Sequence, residues 1–126
     1  MIIHAGDITE IETYNTLRDI APLYAVRGNN DWRLARHLQA FRAFQVEGVN
    51  IALVHNYNTL PPPSELADMQ IIIFGHTHQY YEQVIDGQLR LNPGSCGQRR
   101  FGSDLTMAYL FIDGGSYQVQ RVDLDV

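Results

Sequence analysis

The sequence predicts an α/β fold, a mixed sheet system with helices on its faces. Three observations carry this. The N-terminal third alternates short apolar strands with helical spacing. The remainder is dominated by hairpin signals. Polar clusters at Asp7, Asn29 and His76 stand just past the carboxyl ends of apolar strands, and His55 ends another. In α/β folds that edge is where ligands bind.

The elements follow in order. Met1 to Ala5 reads as a buried strand that Gly6-Asp7 breaks. Residues 10–20, EIETYNTLRDI, set Ile11, Tyr14, Leu17 and Ile20 at helical spacing, and Pro22 ends that helix. Leu23 to Val26 makes a second buried strand, and Gly28-Asn29-Asn30 a turn. Asp31 is placed to cap a short helix through Leu38, with Trp32, Leu34 and Ala35 as apolar contacts.

The period then changes. Residues 41–46 and 49–54 flank Gly48 as an antiparallel hairpin. Pro61-Pro62-Pro63 forces an extended loop, with Ser64 placed to cap a helix. Met69 to Phe74 is a buried strand. Asp86-Gly87 joins the strands Glu82 to Ile85 and Gln88 to Asn92, and Gly114-Gly115 joins Met107 to Ile112 with Tyr117 to Leu124.

Composition narrows the function classes. The 126 residues are one domain's worth, 1–126, and a hydrophobic content of 45% marks a folding chain. No apolar run approaches a membrane span, and the start MIIHAGDITE lacks the features of a signal peptide. The single cysteine, Cys96, permits no internal disulfide, so a cytoplasmic location is expected. Fourteen acidic against nine basic residues give a net charge of −5, which argues against dedicated nucleic-acid binding. Arg99 and Arg100 are the best candidates for a local phosphate contact.

Each polar cluster has a plainer use when taken singly. Asp7 suits a turn or a helix cap, asparagines tolerate left-handed turns, and His55 suits a satisfied strand end. Together, Asp7, Asn29, His55 and His76 form a set of oxygen and nitrogen donors on one sheet edge. That set suits Mn²⁺, Fe²⁺, Zn²⁺ or Ni²⁺ and not a thiolate-loving metal. The glycines beside Asp7, Asn29 and His76 let the backbone turn sharply there.

In that order, "GD" at Gly6-Asp7, "GNND" at Gly28 to Asp31, His55, and "GHTH" at Gly75 to His78 resemble the calcineurin-like metallophosphoesterases. "NPGS" at Asn92 to Ser95 is similar to their small bacterial and archaeal phosphodiesterase branch. The resemblance implies a four-layer αββα sandwich, two mixed β-sheets flanked by helices. It implies a two-metal site with Mn²⁺ as the expected ion: Asp7 bridging, Asn29, His55 and His76 completing one metal, His78 on the other. Relative to the family, the N-terminal strand ending in Asp-x-His and its connecting helix are missing, so the second metal is expected to be weak. Apolar surface left by that absence points to a homo-oligomer.

The implied chemistry is hydrolysis of a small phosphoester by a metal-bound hydroxide. Asn30 and Asp31 are the candidate catalytic residues beside the metal. Asn30 replaces the histidine that protonates the leaving group in many family members, and an amide cannot act as that acid at neutral pH. It can donate a hydrogen bond to a phosphoryl oxygen. Asp31 can orient its neighbours or cap a helix. Aryl phosphodiesters are therefore expected to outrun alkyl ones. The rival expectation is a non-enzymatic protein-binding scaffold of the same fold, as in the similar retromer subunit.

Overall fold

A computed structural model describes residues 1–97 and 104–124. Arg99 and Arg100 lie outside the described residues. The architecture is a mixed α/β fold with few helices. Among the described residues no helix is long and apolar enough to cross a membrane.

The N-terminal unit is β1 (Ile2–His4), α1 (Ile11–Ile20) and β2 (Leu23–Ala25). β1 and β2 pair in parallel, His4 opposite Ala25. Helix α1 carries Glu12 in its first turn and Arg18 in its last, matching the helix dipole. It ends as the Ala21 N–H bonds the Leu17 carbonyl at 3.3 Å, just before Pro22. Tyr14 and Leu17 pack on a cluster of Ile8, Ala25, Leu34 and Leu38. The expected apolar stripe is narrower than its spacing indicated, because Ile11 and Ile20 stay 42% and 69% exposed.

The central sheet joins β3 (Phe41–Val46), β4 (Val49–Val54), β5 (Ile71–Ile73), β6 (Tyr80–Ile85) and β7 (Gln88–Pro93) in the order β3-β4-β5-β7-β6. β5 is parallel to β4 and β7, and the two hairpins are antiparallel. Alternation sorts the side chains: Ile51, Leu53, Ile71 and Ile73 enter the main core on one face. Ala52 and Ile72 enter a smaller cluster with Leu66 on the other. Full burial of each such aliphatic side chain contributes roughly 1.5–3 kcal/mol. A separate hairpin, β8 (Thr106–Asp113) with β9 (Ser116–Asp123), packs Leu110, Ile112 and Val119 onto the main core, as Ile3 and Ala5 do from the β1 side. The layers are thus α1, the strands β1–β2 with the β8–β9 hairpin, the five-stranded sheet, and a segment of short 3-10 turns.

Three local expectations change. The helix expected over Asp31 to Leu38 is a 3-10 turn, Trp32–Leu34, followed by bonds from His37 and Leu38 N–H to the Leu34 carbonyl. Asp31 makes no cap for it, because its carboxylate is committed to other loops. Trp32 is not an apolar contact there: it is 72% exposed, whereas Leu34 is fully buried. Ser64 caps no helix either. It sits exposed inside a 3-10 turn, Pro63–Glu65, where consecutive prolines remove the backbone donors a helix would use.

Candidate metal centre

The site forms where the ends of β1, β2, β4 and β5 meet. After His4, Gly6 adopts φ 103°, and a Cβ there would lie 2.6 Å from His55 Nδ1. Opposite it, a Cβ on Gly28 would lie 2.2 Å from Asp7 Oδ1. Both positions need glycine because another chain segment occupies the space a side chain would take.

Non-glycine residues with positive φ divide into two groups. Glu47 and Asp86 serve hairpin turns. Asp7 (64°), Thr9 (68°), His76 (71°) and His78 (63°) lie on the two loops of the site. Each left-handed residue costs about 1–2 kcal/mol, and such strain concentrates at functional sites.

Asp31 holds the first loop. Its carboxylate is fully buried. Oδ2 accepts the N–H groups of Asp7 and Gly28 and Oδ1 that of Thr9, each at 2.7 Å. Buried and bonded to these three N–H groups, the Asp31 carboxylate fixes the backbone that carries Asp7. Asn92 holds the second loop. Also fully buried, its Nδ2 donates to the Gly75 carbonyl and Thr77 Oγ1, both at 3.0 Å, while Oδ1 accepts the Gly94 N–H at 2.9 Å. In the sequence Asn92 stands out only as the first residue of the NPGS motif, with no part in the site, although a polar residue ending the apolar alternation of β7 is a usable signal.

His55, 5% exposed at the end of β4, lies between the loops. Its Nδ1 is 2.7 Å from the Ala5 carbonyl oxygen. A carbonyl can only accept, so Nδ1 carries the hydrogen, which leaves Nε2 as the nitrogen able to offer a lone pair. That nitrogen faces Asp7 Oδ2 at 3.5 Å and His76 Nδ1 at 3.3 Å. A proton on His76 Nδ1 or on His55 Nε2 can bridge these contacts, and a single divalent cation could take its place among the three groups. A backbone carbonyl behind a ligating histidine is the usual orienting partner.

By residue chemistry the donor set suits a divalent ion. Asp7, His55 and His76 form a chain of contacts, but among the described residues no three His, Cys, Asp or Glu groups stand in an arrangement that holds a metal ion as they are. Asn29 is exposed in its turn; its neighbour Asn30 is the one brought to Asp7. The Asn30 N–H meets Asp7 Oδ1 at 2.9 Å and its Nδ2 meets Oδ2 at 3.3 Å. His78 lies half-buried two residues beyond His76 on the same loop. His4, whose Nδ1 accepts the Gly6 N–H at 3.1 Å, is structural, and burial holds its pKa below the ordinary histidine value against the opposing pull of Asp31 and Asp7.

The segment that carries these residues matches a known family. The calcineurin-like phosphoesterase superfamily domain matches residues 1–115. A probable metallophosphoesterase of Methanothermobacter thermautotrophicus is 29% identical over 123 residues, covering 90% of this chain and 70% of that protein. One of Methanocaldococcus jannaschii is 30% identical over 103 residues, covering 75% of this chain and 52% of that protein. Wild-type Vps29 of Entamoeba histolytica, solved in complex with Zn²⁺, superposes with a TM-score of 0.70 at 27% identity, covering 96% of this chain and 80% of that one. The chain belongs to the calcineurin-like phosphoesterase superfamily.

Proposed function

We propose that this protein hydrolyses small phosphodiesters with the help of Mn²⁺. The observation that carries the reading is the orientation of His55: Nδ1 tied to Ala5, Nε2 turned to Asp7 and His76. Asp7, His55 and His76 would hold the ion, with Asn29 and His78 as further donors on the same loops. An ion bound there acts as a Lewis acid toward a phosphoryl oxygen and lowers the pKa of water. Asp31 keeps the Asp7 carboxylate aimed at the histidines. Asn30 Nδ2, in a long 3.3 Å bond to Asp7, is available to donate to a phosphoryl oxygen instead. It cannot supply a proton, so leaving groups that depart as stable anions are favoured.

The test is hydrolysis of bis(p-nitrophenyl) phosphate with added Mn²⁺. Weak activity is expected in the wild type, none in His76→Ala, and a much smaller loss in His78→Ala. Silence with every divalent ion tried would sink the reading. Equal losses in the two variants would show that His78 holds a second ion. A protein-binding role is the second reading, favoured by Tyr109 and Phe111, each 53% exposed on the outer side of β8. It predicts that side of β8, and no hydrolysis, as the functional surface.

A further inference from the structure

Trp32 is the chain's only tryptophan, and it is 72% exposed. Its place in the loop is fixed on both sides. Asp31 before it grips the N–H groups of Asp7 and Thr9. Arg33 after it reaches both carboxylate oxygens of Glu10, at 3.0 and 3.1 Å. Asn30, two residues earlier, bonds the Asp7 carboxylate. The indole is thus carried on the loop that borders the candidate centre, between two anchors to the Asp7–Glu10 segment.

Arg33 also sets its guanidinium carbon 4.8 Å from the indole centroid. Glu10 holds that cation in place, so one part of the ring system is backed and most of it remains bare. A large, backed and exposed aromatic surface is suited to stacking on another planar ring. The chemistry of the site asks for such a ring. With an amide at position 30, the leaving group must tolerate departure as an anion, which aryl groups do and simple alkyl groups do not. The net charge of −5 disfavours a long polyanion as the ligand.

We infer that Trp32 is the stacking platform for a planar aromatic group carried by the phosphoester, making small aryl phosphodiesters the substrate class. This rests on the phosphoesterase reading, and the experiment separates the two. Because Trp32 is the sole tryptophan, its emission reports binding without turnover. The protein in Zn²⁺ is titrated with phenylphosphonate, with methylphosphonate and with adenosine monophosphate. A saturable change is expected with phenylphosphonate, at least about tenfold tighter than with methylphosphonate; the adenosine arm tells whether a nucleobase serves as well as a phenyl ring. Trp32→Ala should raise KM for an aryl diester about tenfold with kcat moved less than about twofold, and Trp32→Phe should restore most of the loss, in line with the worth of one stacking contact. Equal affinity for phenyl- and methylphosphonate, or an unmoved KM in Trp32→Ala, overturns the inference. Phenyl discrimination without hydrolysis supports the platform and removes the phosphoesterase reading.

Discussion

The two loops that form the centre are held in different ways. The His55 and His76 side grows from the five-stranded sheet, where every residue of β5, and all but Asn50 of β4, is buried. The Asp7 side grows from β1 and β2, of which only Ala25 is buried. The first has a finished core beneath it, and a neutral side chain, Asn92, suffices to fasten its loop. The second has less packing and is fastened by a charged one, Asp31, accepting three N–H groups. Where packing is thin, charge-assisted hydrogen bonds set the geometry.

That contrast orders the expected effects. Asp31→Ala is the largest. It leaves three donors without their acceptor, at about 1.5–3 kcal/mol for each bond to a charged group, offset in part by the carboxylate's own desolvation. A net loss of about 3–5 kcal/mol in denaturant unfolding is expected, with divalent-ion binding lost even in the fraction that folds. Asn92→Ala follows at roughly 2–3 kcal/mol, since its three bonds are neutral. If Asn92→Ala proves the more damaging in the same unfolding experiment, the contrast between the loops is reversed.

Gly28→Ala should cost less in stability, about 1–3 kcal/mol, as an overpacked contact. Its effect on the site should be larger, because the new Cβ would sit 2.2 Å from Asp7 Oδ1. Calorimetric titration with Mn²⁺ should show affinity falling at least about tenfold. Unchanged affinity would mean that Asp7 need not occupy the position seen here.

Much of this was legible in the sequence, for reasons that differ by region. The hairpins were readable because Gly48, Asp86-Gly87 and Gly114-Gly115 carry their turn geometry locally. β5 was readable because a strand buried on both faces is apolar throughout. The donors were readable as residue types at strand ends. What was hidden depends on contacts between distant segments. Asp31 resembles a helix cap until Asp7 and Thr9, more than twenty positions earlier, supply the N–H groups it binds. The contact of Asn30 with the Asp7 carboxylate was likewise out of reach, and Trp32 looked like core because periodicity cannot tell a helix from a single 3-10 turn.

The proposed centre requires that Asp7, His55 and His76 together hold a divalent ion. Elemental analysis after Mn²⁺ loading and desalting tests it most directly, on the wild type and His55→Ala side by side. About one ion per chain is expected in the wild type and little or none in the variant, because His55 is in contact with both Asp7 and His76. A wild type that retains no ion, or a His55→Ala variant that retains as much as the wild type, would contradict it.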